Sequence, residues 1–146
     1  MRTLTIKRTK RFVASLVKMK IYVEDPTSDE IVINKVPCRK LGTLKNGEEK
    51  SFQIDDGAVK VFAIADQLSK DYCNEYYQLP EGTEDIFLSG RNYFNPASGN
   101  AFRFDGNNNE EIIANRKKNN VKGVVVLIVS IIVGAILGFL IANSLF

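Results

Sequence analysis

Hydrophobic and polar positions alternate over the first hundred residues of this chain, then give way to an unbroken apolar run. Val17, Met19, Ile21 and Val23 fall on one side of an extended segment, with Lys18, Lys20, Tyr22 and Glu24 on the other. That pattern predicts a strand with one buried face. Leu4 and Ile6 predict a shorter strand before it, and Ile31-Val32-Ile33 another after the turn residues Asp25–Asp29. Lys45-Asn46-Gly47-Glu48 predicts a tight hairpin, because Asn-Gly readily takes positive φ, and Phe52 and Ile54 alternate beyond it. Asp56-Gly57 predicts a second hairpin turn, leading into Val59–Ile64. Gln67–Asn74 reads as loop, Glu75–Leu79 as extended, Ile86–Leu88 as strand, Asn95–Asn100 as turn and Ala101–Phe104 as a last strand. The predicted class is mainly β: a small antiparallel β-sandwich over residues 1–105, followed by a linker and a single C-terminal transmembrane α-helix.

The apolar run is Gly123–Phe146, in which Ser130, Asn143 and Ser144 are the polar side chains. A helix over Gly123–Ala142 is about 30 Å long, the thickness of a bilayer's hydrocarbon core, and satisfies its own backbone hydrogen bonds. Residues 121–146 are therefore assigned to the membrane. Arg116, Lys117, Lys118 and Lys122 form a basic juxtamembrane collar before the span, and no charged residue follows it. The positive-inside rule then predicts a single-pass, tail-anchored protein of the cell membrane with its β domain in the cytoplasm. In that reducing compartment Cys38 and Cys73 are expected to be free thiols. The Asn-rich stretch 106–120 reads as a tether or as a juxtamembrane extension of the helix, with Ile112 and Ile113 near the headgroups.

Charge arrives in blocks that the net value of +3 conceals. Residues 1–23 hold seven bases and no acid, residues 24–115 nine bases and 17 acids, and residues 116–122 four bases. The small balance and the lack of interleaved aromatics argue against a nucleic-acid partner. Two readings of the N-terminal bases stand side by side: contacts to an anionic leaflet, each worth on the order of 1 kcal/mol, or the solvated faces of two strands.

Missing residue types exclude whole chemistries. Without histidine there is no Ser-His-Asp or Cys-His pair and no His-ligated metal. Two cysteines cannot build a cysteine-rich zinc site. The carboxylate pairs Glu48-Glu49, Asp55-Asp56 and Glu84-Asp85 sit at turns, where acids are ordinarily solvated, and no calcium-loop spacing is present. The expectation is a non-enzyme with no catalytic residues, no metal and no cofactor.

The residues Thr3–Arg8, Phe12-Val13 and Val17–Val23, then Gly42-x-Leu44-Lys45-Asn46-Gly47-Glu48 with Phe52-x-Ile54, then Asp56-Gly57 and Val59–Ile64 resemble small bacterial β-sandwich modules of the PEGA-like kind. The likeness covers residues 3–90, with Asp25–Cys38 as an insertion. Pro80-Glu81-Gly82 lies one hairpin too late to be the eponymous motif. The resemblance implies a bacterial origin and a binding or display role, and it brings no active site.

Candidate functional residues form two sets. Ser130, Gly134, Gly138 and Ala142 recur every four residues along one face of the span, and such small residues let two backbones approach closely. They predict a homo-oligomer through the helix. Tyr72, Tyr76 and Tyr77 form a candidate patch for an unidentified protein partner, against the alternative that alternation turns half of them into the core. The predicted function is a binding or scaffold domain held at the membrane, in contact with membrane lipids. The alternative is a small membrane-complex subunit, or a pore-forming protein in which the glycine-bearing helix is the active part.

Overall fold

A computed structural model of the chain describes residues 1–65, 75–96 and 99–144. Among the described residues nine strands are followed by one long helix: β1 Arg2–Arg8, β2 Met19–Glu24, β3 Ile31–Ile33, β4 Val36–Leu44, β5 Glu49–Ile54, β6 Lys60–Ala65, β7 Tyr76–Gln78, β8 Ile86–Asn95, β9 Gly99–Phe104 and α1 Glu110–Ser144. The strands form a four-stranded sheet in the order β5-β1-β8-β9 and a five-stranded sheet in the order β3-β4-β2-β6-β7. Their inward faces bury Leu4 and Ile6 from β1, Met19, Ile21 and Val23 from β2, Val61 from β6, and Phe102 and Phe104 from β9. The alternation read in the sequence is this core. At about 25 cal/mol per Å² of apolar surface removed from water, it is the main stabilising term of the β domain.

The sandwich class holds, with three corrections to the local reading. First, Asn46-Gly47 is a tight turn, with φ of 79° at Gly47, but no hairpin. It carries the chain from β4, which pairs with β2 and β3, to β5, which pairs with β1 in the other sheet. Asp56-Gly57 likewise crosses back, from β5 to β6. The central feature of the PEGA-like resemblance is thus a pair of sheet-to-sheet connections. Second, the core pair β1–β8 is parallel, Leu4 opposite Ile86 and Arg8 opposite Gly90. Third, residues 36–44 form the nine-residue strand β4, paired to β3 through a two-residue turn in which Asn34 and Lys35 both have positive φ.

α1 starts earlier than the linker reading allows. Asn109 caps it, its side-chain oxygen accepting from the Ile112 N–H at 3.3 Å, and Glu110 and Glu111 complement the positive end of the helix dipole. Ile112 is 0% exposed, so it belongs to the protein interior and not to the headgroup layer; Ile113 is exposed. From Val124 to Ser144 every residue is exposed. One continuous helix therefore has a first part packed on the β domain and a second, apolar part that touches nothing.

Candidate functional site

The long apolar helix joins the β domain at the junction between α1 and the sandwich edge. Glu75 precedes β7 and is buried. Its carboxylate accepts the Phe104 N–H at 2.8 Å and receives both Arg116 Nε, at 3.0 Å, and Arg116 Nη2. The same guanidinium donates to the Phe104 carbonyl at 3.0 Å. One planar fork thus ties α1 to β7 and β9 together, a geometry that lysine could not reproduce. Around it, Asn107 donates to the Tyr76 carbonyl at 2.7 Å, and Arg103 donates to Asn120 at 3.0 Å. Ile112, Arg116, Asn120 and Gly123 lie within one helical face at 100° per residue. Ile112 and Gly123 on that face are the buried residues of α1.

These contacts redistribute the predicted sites. Arg116 leaves the basic collar to serve the clasp, while Lys117, Lys118 and Lys122 are exposed. Tyr72 lies outside the described residues. Tyr76 and Tyr77 face opposite ways from β7 and share no surface. Tyr77 packs edge-on against Phe104, centroids 5.8 Å apart, on the core side. Tyr76 lies on the outer side beside Phe62, with Lys60 over its ring at 5.1 Å, and its hydroxyl donates to Glu111 at 3.1 Å. Burial, and then that bond to a carboxylate, push the Tyr76 phenol above its ordinary pKa. Ser130, Gly134, Gly138 and Ala142 do share one face of α1. Nothing stands within 4 Å of a Cβ built on either glycine, and the Ser130 hydroxyl is satisfied within the helix by the Val126 carbonyl at 2.8 Å.

Topology also sorts the charges. Arg8, at the end of β1, lies opposite Gly90, which lies opposite Phe104, the residue held by Arg116. From that level α1 continues in the direction in which β1 ends. The 9–18 connection and the Lys45–Glu48 turn lie at this end of the sandwich, the exit end, with Lys10, Arg11, Lys18 and Lys45 exposed. Asp29, Glu30, Asp55, Asp56, Glu81, Glu84 and Asp85 lie exposed toward the other end. Exposed bases outnumber exposed acids where the helix leaves, and acids outnumber bases away from it.

No family model, curated protein or solved structure matches this chain. Its chemistry is therefore read from its own residues. Among the described residues no three Cys, Asp or Glu side chains gather to hold a metal ion. A shallow recess of about 410 Å³ between β7 and the start of α1 is lined by Gln78, Pro80, Glu81 and Asn107–Asn109, with one carboxylate and no partner for it. Cys38 is free and fully buried, and burial pushes its thiol up to about 11, away from nucleophilic use. Cys73 lies outside the described residues. What sequence reading missed is Glu75, whose partner is 41 residues away. Its sequence signal is an acid immediately before a strand that opens with two adjacent tyrosines.

Proposed function

We propose that this protein is a membrane-anchored, non-catalytic binding or scaffold module, with its β-sandwich held against the cytoplasmic face of the cell membrane. One observation carries the reading: a single helix is clasped to the sandwich by Arg116 and Glu75, then exposes an apolar surface on every side from Val124 onward. Such a surface is stable in lipid and a liability in water. Residues Gly123–Ser144 give about 33 Å of helix, enough to span with a slight tilt. Lys117, Lys118 and Lys122 on the near side support a cytoplasmic β domain. The clasp makes the junction stiff, so a partner meets the sandwich in a fixed orientation.

Self-association through Ser130, Gly134, Gly138 and Ala142 belongs to the same proposal. It would multiply weak contacts of the displayed domain. Trypsin added to sealed vesicles tests the topology. Inverted vesicles should lose the β domain and right-side-out vesicles should keep it; digestion in right-side-out vesicles overturns the cytoplasmic assignment. For the helix face, an association reporter fused to the span should lose signal with Gly138→Ile.

A further inference from the structure

Among the described residues, the connection between β1 and β2, residues 9–18, carries the two most exposed large apolar side chains. Phe12 is 95% exposed and Leu16 96%. Single exposed apolar residues are ordinary on protein surfaces, but two fully exposed ones, four positions apart in a braced loop, ask for a partner. The brace is specific. The Arg8 guanidinium, itself buried, donates to the carbonyls of Ala14 at 2.7 Å, Val17 at 2.6 Å and Leu44 at 3.1 Å. The Asn46 side chain grips the Arg11 backbone both ways, at 2.9 and 2.8 Å. Turns from Ser15 to Phe12 and from Val17 to Ala14 close the loop, with φ of 54° at Ala14. Loop carbonyls are thus spent on the interior, and Phe12 and Leu16 are held outward without a covering residue.

Charge and position name the partner. Lys10, Arg11 and Lys18 are exposed within the loop, and Lys45 is exposed in the adjacent turn. The acids of that turn are already engaged, Glu48 by the Lys45 amide and Lys50, and Glu49 by Lys7 at 3.9 Å. The loop begins just beyond Arg8, level with Arg116. About 10 Å of helix, seven residues, separates Arg116 from the start of the apolar run at Gly123. The loop therefore lies on the side of the β domain from which α1 leaves, where β8 also runs on from Gly90 to Asn95, and this side faces the headgroups once α1 is inserted.

We infer that residues 9–18 form a second membrane contact: Phe12 and Leu16 enter the interface of the anionic leaflet that α1 crosses, and Lys10, Arg11, Lys18 and Lys45 meet its lipid phosphates. Apolar anchors rimmed by bases are the combination that binds anionic interfaces. The inference rests on the anchored reading. It adds that the sandwich is fixed at two points, so its acidic end is turned away from the membrane.

The chain has no tryptophan, so one introduced indole reports its own surroundings. Full-length Phe12→Trp and, separately, Leu16→Trp are reconstituted in vesicles of phosphatidylcholine with about 30 mol% phosphatidylglycerol, or of phosphatidylcholine alone. Val32→Trp, exposed on β3, is the reference. In anionic vesicles both loop tryptophans should shift their emission to shorter wavelength and lose about half of it to a headgroup-level lipid quencher. In neutral vesicles, or with K10E and R11E added, quenching should fall to the Val32→Trp level. If the chain floats with anionic vesicles while both loop tryptophans stay as unquenched as Val32→Trp, the loop contact is wrong and the anchor stands. If the chain does not float, the anchored reading fails and takes this one with it. A blue shift that follows protein-to-lipid ratio, without lipid quenching, makes the occupant a second copy of the chain and overturns the proposal.

Discussion

Replacing Arg116 with alanine separates a structural clasp from a generic basic collar. In the folded protein the Arg116 fork neutralises Glu75, whose side chain keeps 10% of its exposure, and also satisfies the Phe104 carbonyl. Arg116→Ala leaves a buried carboxylate without its counter-charge. For fully buried pairs, removing one partner costs 3–5 kcal/mol; with the Arg116 side chain still 24% exposed, about 2–4 kcal/mol is expected here. A domain of this size loses roughly 4–8 °C of Tm per kcal/mol, so the variant should melt about 8–32 °C lower. The assay is thermal unfolding of the full chain in detergent micelles, followed by the β-sheet circular dichroism signal. Lys117→Ala removes the same charge from the next, exposed position and should stay within about 0.5 kcal/mol of the parent. Arg116→Lys should recover only part of the loss, because a point charge cannot make the fork. In a Glu75→Gln/Arg116→Gln cycle the two substitutions should couple by about 1–3 kcal/mol. Equal melting of Arg116→Ala and Lys117→Ala would refute the clasp and return Arg116 to the collar.

Gly90 on β8 has no room for a methyl group: a Cβ there would stand 2.4 Å from the Phe102 ring and 2.7 Å from the Arg103 carbonyl. Gly90→Ala should cost about 1–3 kcal/mol in the same melting assay, whereas Gly57→Ala, with nothing within 4 Å, should be neutral or slightly stabilising. Arg8→Ala removes the three donors that hold residues 14, 17 and 44. Trypsin should then cut at Lys10 and Arg11 faster than in the parent, and an unchanged digestion pattern would reject the brace. With its thiol pushed up to about 11, Cys38 should resist alkylation of the native chain near pH 8 and react fully after unfolding, read by mass spectrometry of the labelled peptide. Its native labelling should rise only as the pH approaches that value.

β1 and β2 were legible because the apolar side chains of their inward faces alternate, and they are found where Leu4, Ile6, Met19, Ile21 and Val23 place them; Tyr22, read on the polar face of β2, is instead buried in a second cluster with Phe62 and Ile64. β4 was hidden by its own irregularity. Pro37 and Gly42 interrupt it, and the register with β2 shifts so that Ile21 faces Gly42 while Tyr22 faces Lys40, leaving Leu41 unpaired. That bulge breaks the period a strand is recognised by. Asn46-Gly47 could be read as a turn, because turn chemistry is local. Which sheet the next strand joins is decided by burial on two facing layers, and no dipeptide encodes that. The asparagines of 106–109 read as linker, yet Asn107 and Asn109 are spent on holding Tyr76 and capping α1. The apolar run and its flanking bases were plain from composition. The division of those bases between clasp and surface was not, because Glu75 and Arg116 meet only through the fold.

The central claim is that α1 beyond Gly123 is a membrane anchor, and alkaline carbonate extraction of membranes containing the full chain tests it most directly. The chain should stay in the pelleted bilayer at high pH, and a version truncated after Lys122, which retains the clasped turns of α1, should move to the supernatant. Release of the full chain along with peripheral proteins would contradict the account.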